Sequence, residues 1–395
     1  MIFFSVATII VLSIHYYLWL RLIRDTDLST LYRHIGTYSL IALSLSFPIA
    51  LSVDKVAPLR YSFPLLWLSY FWIGMMFLLF FLLFSIDIIK ALFYIFSKLA
   101  AANSNILKPD IIDLEINNPE RRQFISNLIA SGTSLSVFIA SGIGVTNYYS
   151  TAIVKKFNVV LNGLPEIFKG FNIVQISDLH LGQMMTKQKL QQIVGQVNNL
   201  KPDLIAITGD LADGSVEKLL QEANPLKDLK AKKGVYFVTG NHEYYSGVEE
   251  WTDAIKKMGI KVLNNKNIKI KKEDDYFYLA GVTDHEGERF GPKHAADFEK
   301  TFSGLKKDKK KILLAHQPIA VQKASQYDTD LVLAGHTHGG QVWPFNYFVY
   351  LQQPYLKGFY DYQGTKLYVN QGTGCWGPPI RLGSKNEITQ IILDT

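Results

Sequence analysis

Almost all the long uninterrupted apolar runs of this chain fall before Gly144, and everything after that point has the charge density of a water-soluble protein. Crossing a hydrocarbon core takes about 20 mostly apolar residues. Four segments qualify: Ile2 to Leu20, Ile35 to Val53, Phe63 to Ile89 and Phe124 to Val145. The second contains Pro48, which membrane helices tolerate. The fourth is rich in Gly, Ser and Ala, and an amphipathic surface helix is its alternative. His15 and Asp87, near the ends of the first and third segments, read as interfacial groups. The expected organisation is a transmembrane region over 1–150 followed by a soluble domain over 151–395.

Basic residues of the short loops set the orientation. Arg21, Arg24 and Arg33 separate the first two spans, and Lys90, Lys98, Lys108, Arg121 and Arg122 separate the last two. Only Lys55 and Arg60 lie between the second and third. The first and third loops are therefore expected in the cytoplasm and the C-terminal domain on the outer face, as in a bacterial cytoplasmic membrane. Arg121-Arg122 before a small-residue apolar stretch also has the form of a twin-arginine export signal, with an ordinary basic flank as the alternative. Both readings send the domain outward. Without a fourth span it would stay in the cytoplasm.

At 395 residues the chain is long enough for at least two domains. A formal net charge of +7 suits an anionic membrane surface, and no nucleic-acid recognition module accompanies it. The single cysteine, Cys375, excludes an intramolecular disulfide and a thiolate cage for zinc.

Past Lys169 the chain alternates apolar strand-like runs with helical periodicity, the pattern of an α/β core with substantial parallel pairing. After a polar linker and a first strand come strands over Phe171 to Ser177, Pro202 to Thr208, Gly234 to Thr239, Tyr276 to Val282, Lys311 to Ala315 and Leu331 to Ala334. Helices are expected from Thr186 to about Leu200, from Ser215 to Leu229 and from Val248 to Met258. All but one of these strands end at potential ligands: Asp178 and His180, Asp210, Asn241 and His242, His316, then His336 and His338. Open α/β sheets collect ligands at such strand ends.

Aspartate, asparagine and histidine suit zinc, manganese or iron, and a carboxylate can bridge two ions. Even seven of these eight side chains at one sheet edge exceed the needs of a single tetrahedral ion, whereas a pair of ions about 3.5–4 Å apart uses them. Each residue also has a structural alternative. Asp210 can cap the helix that follows it, Asn241 can supply a turn, and His316 can be a satisfied loop residue. The case rests on five such pieces occurring together.

Asp178-Leu179-His180, Gly209-Asp210, Gly240-Asn241-His242-Glu243, His316 and Gly335-His336-Thr337-His338 resemble, in order and approximate spacing, the signature of the calcineurin-like metallophosphoesterases. His338-Gly339-Gly340-Gln341 and the run from Gly372-Thr373-Gly374 to Pro378-Pro379-Ile380-Arg381 look like the bacterial membrane-associated branch typified by YkuE and YaeI. The resemblance implies a sandwich of two mixed β-sheets flanked by helices, here behind about four transmembrane helices. It implies that Asp178, His180 and His338 hold one divalent ion, that Asn241, His316 and His336 hold a second, and that Asp210 bridges them. A metal-bridging hydroxide would then attack phosphorus. His242 would act as the catalytic acid or transition-state stabiliser, with Asp213 orienting its ring. Arg381 is a candidate for bidentate binding of a substrate phosphate, with structural pairing as the alternative.

A dense aromatic segment from Gln341 to Thr365 follows the last ligand loop. It reads as a packed subdomain or as a lip over the site that dips into lipid headgroups, in which case the substrate is a lipid or cell-envelope phosphate. The Lys-rich runs Lys261 to Lys272 and Lys306 to Lys311 read as solvated loops and strand edges. The functional expectation is a membrane-anchored phosphodiesterase or phosphomonoesterase. Its alternatives are a UDP-diacylglucosamine pyrophosphatase-like enzyme facing the cytoplasm, and a non-catalytic membrane receptor or scaffold.

Overall fold

A computed structural model describes residues 2–57, 59–103, 119–182 and 184–395. They form two compact units, Met1–Ile143 and Gly144–Thr395. Lys108, counted above among the basic loop residues, lies outside the described residues.

The first unit is helical: α1 (Ile2–Trp19), α2 (Thr30–Val56), α3 (Leu59–Asn103) and the greater part of α4 (Pro119–Tyr149). Three helices among the described residues are long and apolar enough to cross a membrane: Thr30–Val56, Tyr61–Leu99 and Pro119–Tyr149. The sequence reading expected four. Its first segment is helical for 18 residues and runs on into a π-helical turn over Leu20–Arg24, but it is not among the three. Large apolar side chains such as Ile35, Tyr38, Phe93, Phe96 and Phe138 point outward, as a helix solvated by lipid requires. Polar groups turn inward and pair. Asp87 sits 2.6 Å from Arg21 and accepts the Tyr17 hydroxyl at 2.5 Å. His15 is buried, takes the Trp72 indole N–H on Nε2 at 3.0 Å and lies 2.8 Å from the Val11 carbonyl through Nδ1, so both ring nitrogens are partnered.

Among the described residues of the second unit, twelve strands form two six-stranded mixed sheets. The first has the order β1 (Ile153–Val160), β12 (Glu387–Asp394), β2 (Asn172–Ile176), β3 (Leu204–Thr208), β4 (Val235–Val238) and β5 (Lys261–Val262). Strands β2 to β5 run parallel, β12 is antiparallel to β2, and β1 is parallel to β12. The second has the order β10 (Gly358–Tyr362), β11 (Thr365–Val369), β9 (Leu331–Ala334), β8 (Lys311–Leu314), β7 (Asp275–Gly281) and β6 (Lys266–Lys272). Here β7, β8, β9 and β11 run parallel, with antiparallel β6 and β10 at the edges.

The side-chain alternation of strands sorts the core. Ile173, Leu204, Ala206, Tyr236, Leu279, Ile312, Leu314, Leu331, Leu333 and Ile391 share one cluster. Their odd-even partners Leu313, Val332 and Ala334 belong to another, which Val321 and Ala324 of α10 (Val321–Ala324) and Phe302 of α9 (Phe298–Phe302) complete. The first sheet is covered by α5 (Lys187–Asn199), α6 (Val216–Ala223) and α8 (Val248–Lys257). Thr186 caps α5 by accepting from Lys189 N, and Leu190, Ile193, Val194 and Val197 form its buried stripe. Strands buried on both faces are why β2, β3 and β9 read as continuous apolar runs.

Candidate metal centre

Each ligand candidate stands in the loop just past a strand's carboxyl end. Asp178 and His180 follow β2, Asp210 follows β3, and Asn241 and His242 open α7 (Asn241–Ser246) after β4. His316 follows β8, and His336 and His338 follow β9. The sequence reading put all of them at one edge of one sheet. In the structure β2, β3 and β4 belong to the first sheet and β8 and β9 to the second, so the cluster closes the top of the sandwich from both sides.

The backbone is bent to achieve this. Asp178, His180, Asp210, His336 and His338 all have positive φ, between 49° and 72°. For non-glycine residues this left-handed conformation costs about 1–3 kcal/mol each and collects at functional sites. Close approach also demands glycine: a Cβ on Gly335 would collide with Ser177 Oγ and Asp178 Oδ2, and one on Gly240 with Asp210.

Potential ligand atoms gather in three groups, each lying within 4.8 Å: Asp178, His180 and His338; Asp210, His316 and His336; and His180, Asp210 and His242. Asp210 Oδ2 lies 3.0 Å from His316 Nε2 and 3.8 Å from His180 Nε2, so it stands between the first two groups. Asp178 accepts the His336 backbone N–H at 2.9 Å and lies 3.5 Å from His338 Nε2.

The imidazole orientations test whether cations fit. His316 Nδ1 is 2.8 Å from the Thr208 carbonyl and must donate there, which leaves its Nε2 facing Asp210 Oδ2 and, at 3.1 Å, His336 Nδ1. His180 Nδ1 is 3.0 Å from Asp213 Oδ1, and its Nε2 is 3.0 Å from His338 Nε2. Lone pairs converging on one another and on a carboxylate need a positive charge between them, either a proton or a metal ion. Asn241 Oδ1, buried with no hydrogen-bond partner, adds an oxygen of the kind a cation accepts. The donor set therefore fits divalent metal. Burial favours neutral His336, whose pKa falls to about 3 with the neighbouring His316 adding to the effect. Burial likewise holds His338 well below its usual value. Neutral imidazole is the form that ligates metal.

His242 sits apart from that set. Its Nδ1 is 2.6 Å from Asp213 Oδ1, and its Nε2 points into the cluster 3.9 Å from Asp210. Burial works against the imidazolium, but the Asp210 and Asp213 carboxylates outweigh it and push the ring to about 9. Tyr245 and Trp376, both about half exposed, lie 5.4 and 6.0 Å from the His242 ring.

Arg381 is committed to hydrogen bonds with the loops around it. Its side chain is fully buried, and its guanidinium donates to the carbonyls of His338, Gln371, Gly372, Gly374 and Lys385 and to Ser384 Oγ. With its donors turned onto backbone oxygens, it fastens the His338 loop to the 371–385 loop instead. Its backbone N–H donates to Gly144 O at 3.0 Å, and its carbonyl accepts from Asn147 Nδ2 at 3.1 Å, so the last turns of α4 are fastened to the same point.

Glu243 was quoted in the sequence motif but given no role. Fully buried, it accepts Asp210 N at 3.0 Å, Leu211 N at 2.7 Å and Gly240 N at 2.7 Å, and so locks two ligand-bearing loops together. The signal for it in the sequence is an acid one residue past His242, at the third position of a helix opened by glycine.

Residues 171–340 match the family model of the calcineurin-like phosphoesterases. A metallophosphoesterase of Helicobacter pylori is 33% identical over 277 residues, which are 70% of this chain and 73% of that protein. The chain belongs to the calcineurin-like metallophosphoesterases. A transmembrane protein with metallophosphoesterase domain from Danio rerio is 38% identical over 288 residues, covering 69% of this metallophosphoesterase and 66% of the fish protein. The YkuE metallophosphoesterase of Bacillus subtilis is 31% identical over 292 residues, 69% of this chain and 97% of its own. The match spans 60–66% of the length of the Danio rerio, Bos taurus and Campylobacter jejuni relatives.

Proposed function

We propose that this chain is a membrane-anchored dimetal phosphoesterase that hydrolyses phosphate diesters or monoesters. The observation that carries the reading is the shared carboxylate. Asp210 stands between an Asp178–His180–His338 group and a His316–His336 pair, an arrangement suited to two ions with one bridging ligand. Asp178, His180 and His338 would hold the first ion, and Asn241, His316 and His336 the second, with zinc, manganese and iron all compatible with the donors. Such ions supply charge neutralisation for phosphoryl oxygens and a water of lowered pKa.

The protein's own groups do the rest. His242, held through Nδ1 by Asp213, presents Nε2 toward the cluster, where in its protonated form it stabilises negative charge on a phosphoryl oxygen or protonates the departing one. Asp213 also fixes His180 through the same oxygen, so one carboxylate orients a ligand and an acid. Glu243 and Arg381 keep the ligand loops in register.

Residues 1–150 form the membrane region and 151–395 the catalytic domain in this reading. The basic loop flanked by Arg21 and Arg33 and the basic approach to α4 lie on the cytoplasmic side, which puts the catalytic domain on the outer face whether or not α1 crosses. The direct test is hydrolysis of a chromogenic phosphodiester by the purified full chain with and without added Mn²⁺ or Zn²⁺. Metal-dependent turnover supports the enzyme; silence under all metals supports a binding-only role.

A further inference from the structure

The exposed apolar surface of the second unit concentrates just past the His336–His338 loop. Trp343, Phe345, Tyr347, Phe348, Tyr350 and Leu351 are all exposed, Leu351 to 82%. Between Gln341 and Tyr360 there is no Asp or Glu. A soluble surface rarely carries such a patch, whereas Trp and Tyr are favoured at a bilayer interface.

The segment is also tied to the end of a candidate membrane span. Val342 bridges to Leu382, and Trp343 N donates to Leu382 O at 2.7 Å. The preceding residues, Ile380 and Arg381, pack against Gly144 and Asn147 near the end of α4. On its other side the segment continues into the ligand loop. The Gln341 side chain pairs with the Trp376 backbone in both directions, at 2.7 and 3.0 Å, and so sets Trp376 beside His242. Aromatic patch, span end and metal cluster therefore share one set of loops.

We propose that Trp343–Leu351 docks on the bilayer in which α4 is rooted, and that it thereby offers the metal cluster phosphate esters carried by membrane lipids. The substrate half of this proposal rests on the phosphoesterase reading above; the docking half does not. The headgroup phosphate enters beside His242, and Tyr245 and Trp376 flank the less polar part of the substrate.

The test uses the full chain in phosphatidylglycerol-containing vesicles. Leu351→Cys carries a fluorophore, Cys375 being buried and unlabelled, and nitroxide lipids quench it. Lys272→Cys at the end of edge strand β6 is the reference. Docking predicts quenching several-fold stronger at 351 than at 272. Equal quenching, or protection at 351 that grows with protein density as a contact between copies would, overturns it. In parallel, a triple Trp343→Ser, Phe345→Ser, Phe348→Ser variant is assayed on a vesicle-embedded phospholipid and a soluble phosphodiester. Loss of about tenfold on the vesicle substrate with the soluble rate retained is expected; equal losses overturn the proposal. Tyr347→Ser with Leu351→Ser, both highly exposed, repeats the comparison without disturbing the fold. Inactivity of the unaltered chain on both substrates counts against the phosphoesterase reading and the lipid substrate, and the quenching ratio still decides the docking.

Discussion

His242 Nδ1 lies 2.6 Å from Asp213 Oδ1, the same oxygen that sits 3.0 Å from His180 Nδ1. One buried carboxylate thus orients both a proposed metal ligand and the proposed acid beside it. His242→Ala should retain bound metal and lose about 10²–10⁴-fold in turnover, the usual worth of a positioned acid. Asp213→Asn should lose less turnover but also weaken metal binding, because it frees two rings. Metal content measured beside kcat separates the two variants; undiminished turnover in His242→Ala removes its role.

Arg381 predicts a different phenotype. Truncation to Met would strip several buried carbonyls of their donor, each worth about 1–3 kcal/mol. The expected result is a loss of at least about 3 kcal/mol in stability, seen in thermal melts of the detergent-solubilised chain. A stable variant with a raised KM would restore the substrate-binding role.

Gly335→Ala forces a methyl group onto Ser177 and Asp178 at a strand end with no room to move. Metal affinity should fall by tenfold or more, about 1.4 kcal/mol, while the sheets stay folded. Titration with Mn²⁺ monitored by activity, alongside circular dichroism, checks both halves of that statement.

Lys189 links stability to pH. Its ammonium donates to the Tyr148 carbonyl and lies 3.1 Å from the Tyr148 ring centroid, and burial lowers its pKa from 10.5 to about 7. Between those values the unfolded chain holds a proton that the folded chain has released. Stability should therefore rise as pH increases from about 7 toward 10.5, and the gain should be lost as pH falls back through 7. Lys189→Met should flatten this slope in melts recorded across that range.

The strands that carry the cluster were legible because branched apolar runs ended abruptly at Gly, Asp or His. The division of the strands between two sheets was not. Strand β12 pairs with β1 and β2, more than two hundred residues earlier, and no local pattern encodes such a partner. Edge strand β6, with Lys at alternating and end positions, lies in a run that read as solvated loops and strand edges, because only Ile270 of its residues is fully buried. Helices α2, α3 and α4 were found from length and hydropathy, but their ends lay beyond the expected ones, since a helix need not stop where its apolar stretch does. Ligand types could be read from chemistry and spacing. The turning of Arg381 onto backbone oxygens could not, because a guanidinium is equally suited to phosphate and to carbonyls until the surrounding loops are placed.

Metal stoichiometry is the most direct measurement. Elemental analysis of the purified full chain should find two equivalents of divalent metal, with loss of metal and of phosphodiester turnover together in Asp210→Asn. A chain that binds no divalent ion, or an Asp210→Asn variant that keeps both ions and full turnover, would contradict the shared-carboxylate centre.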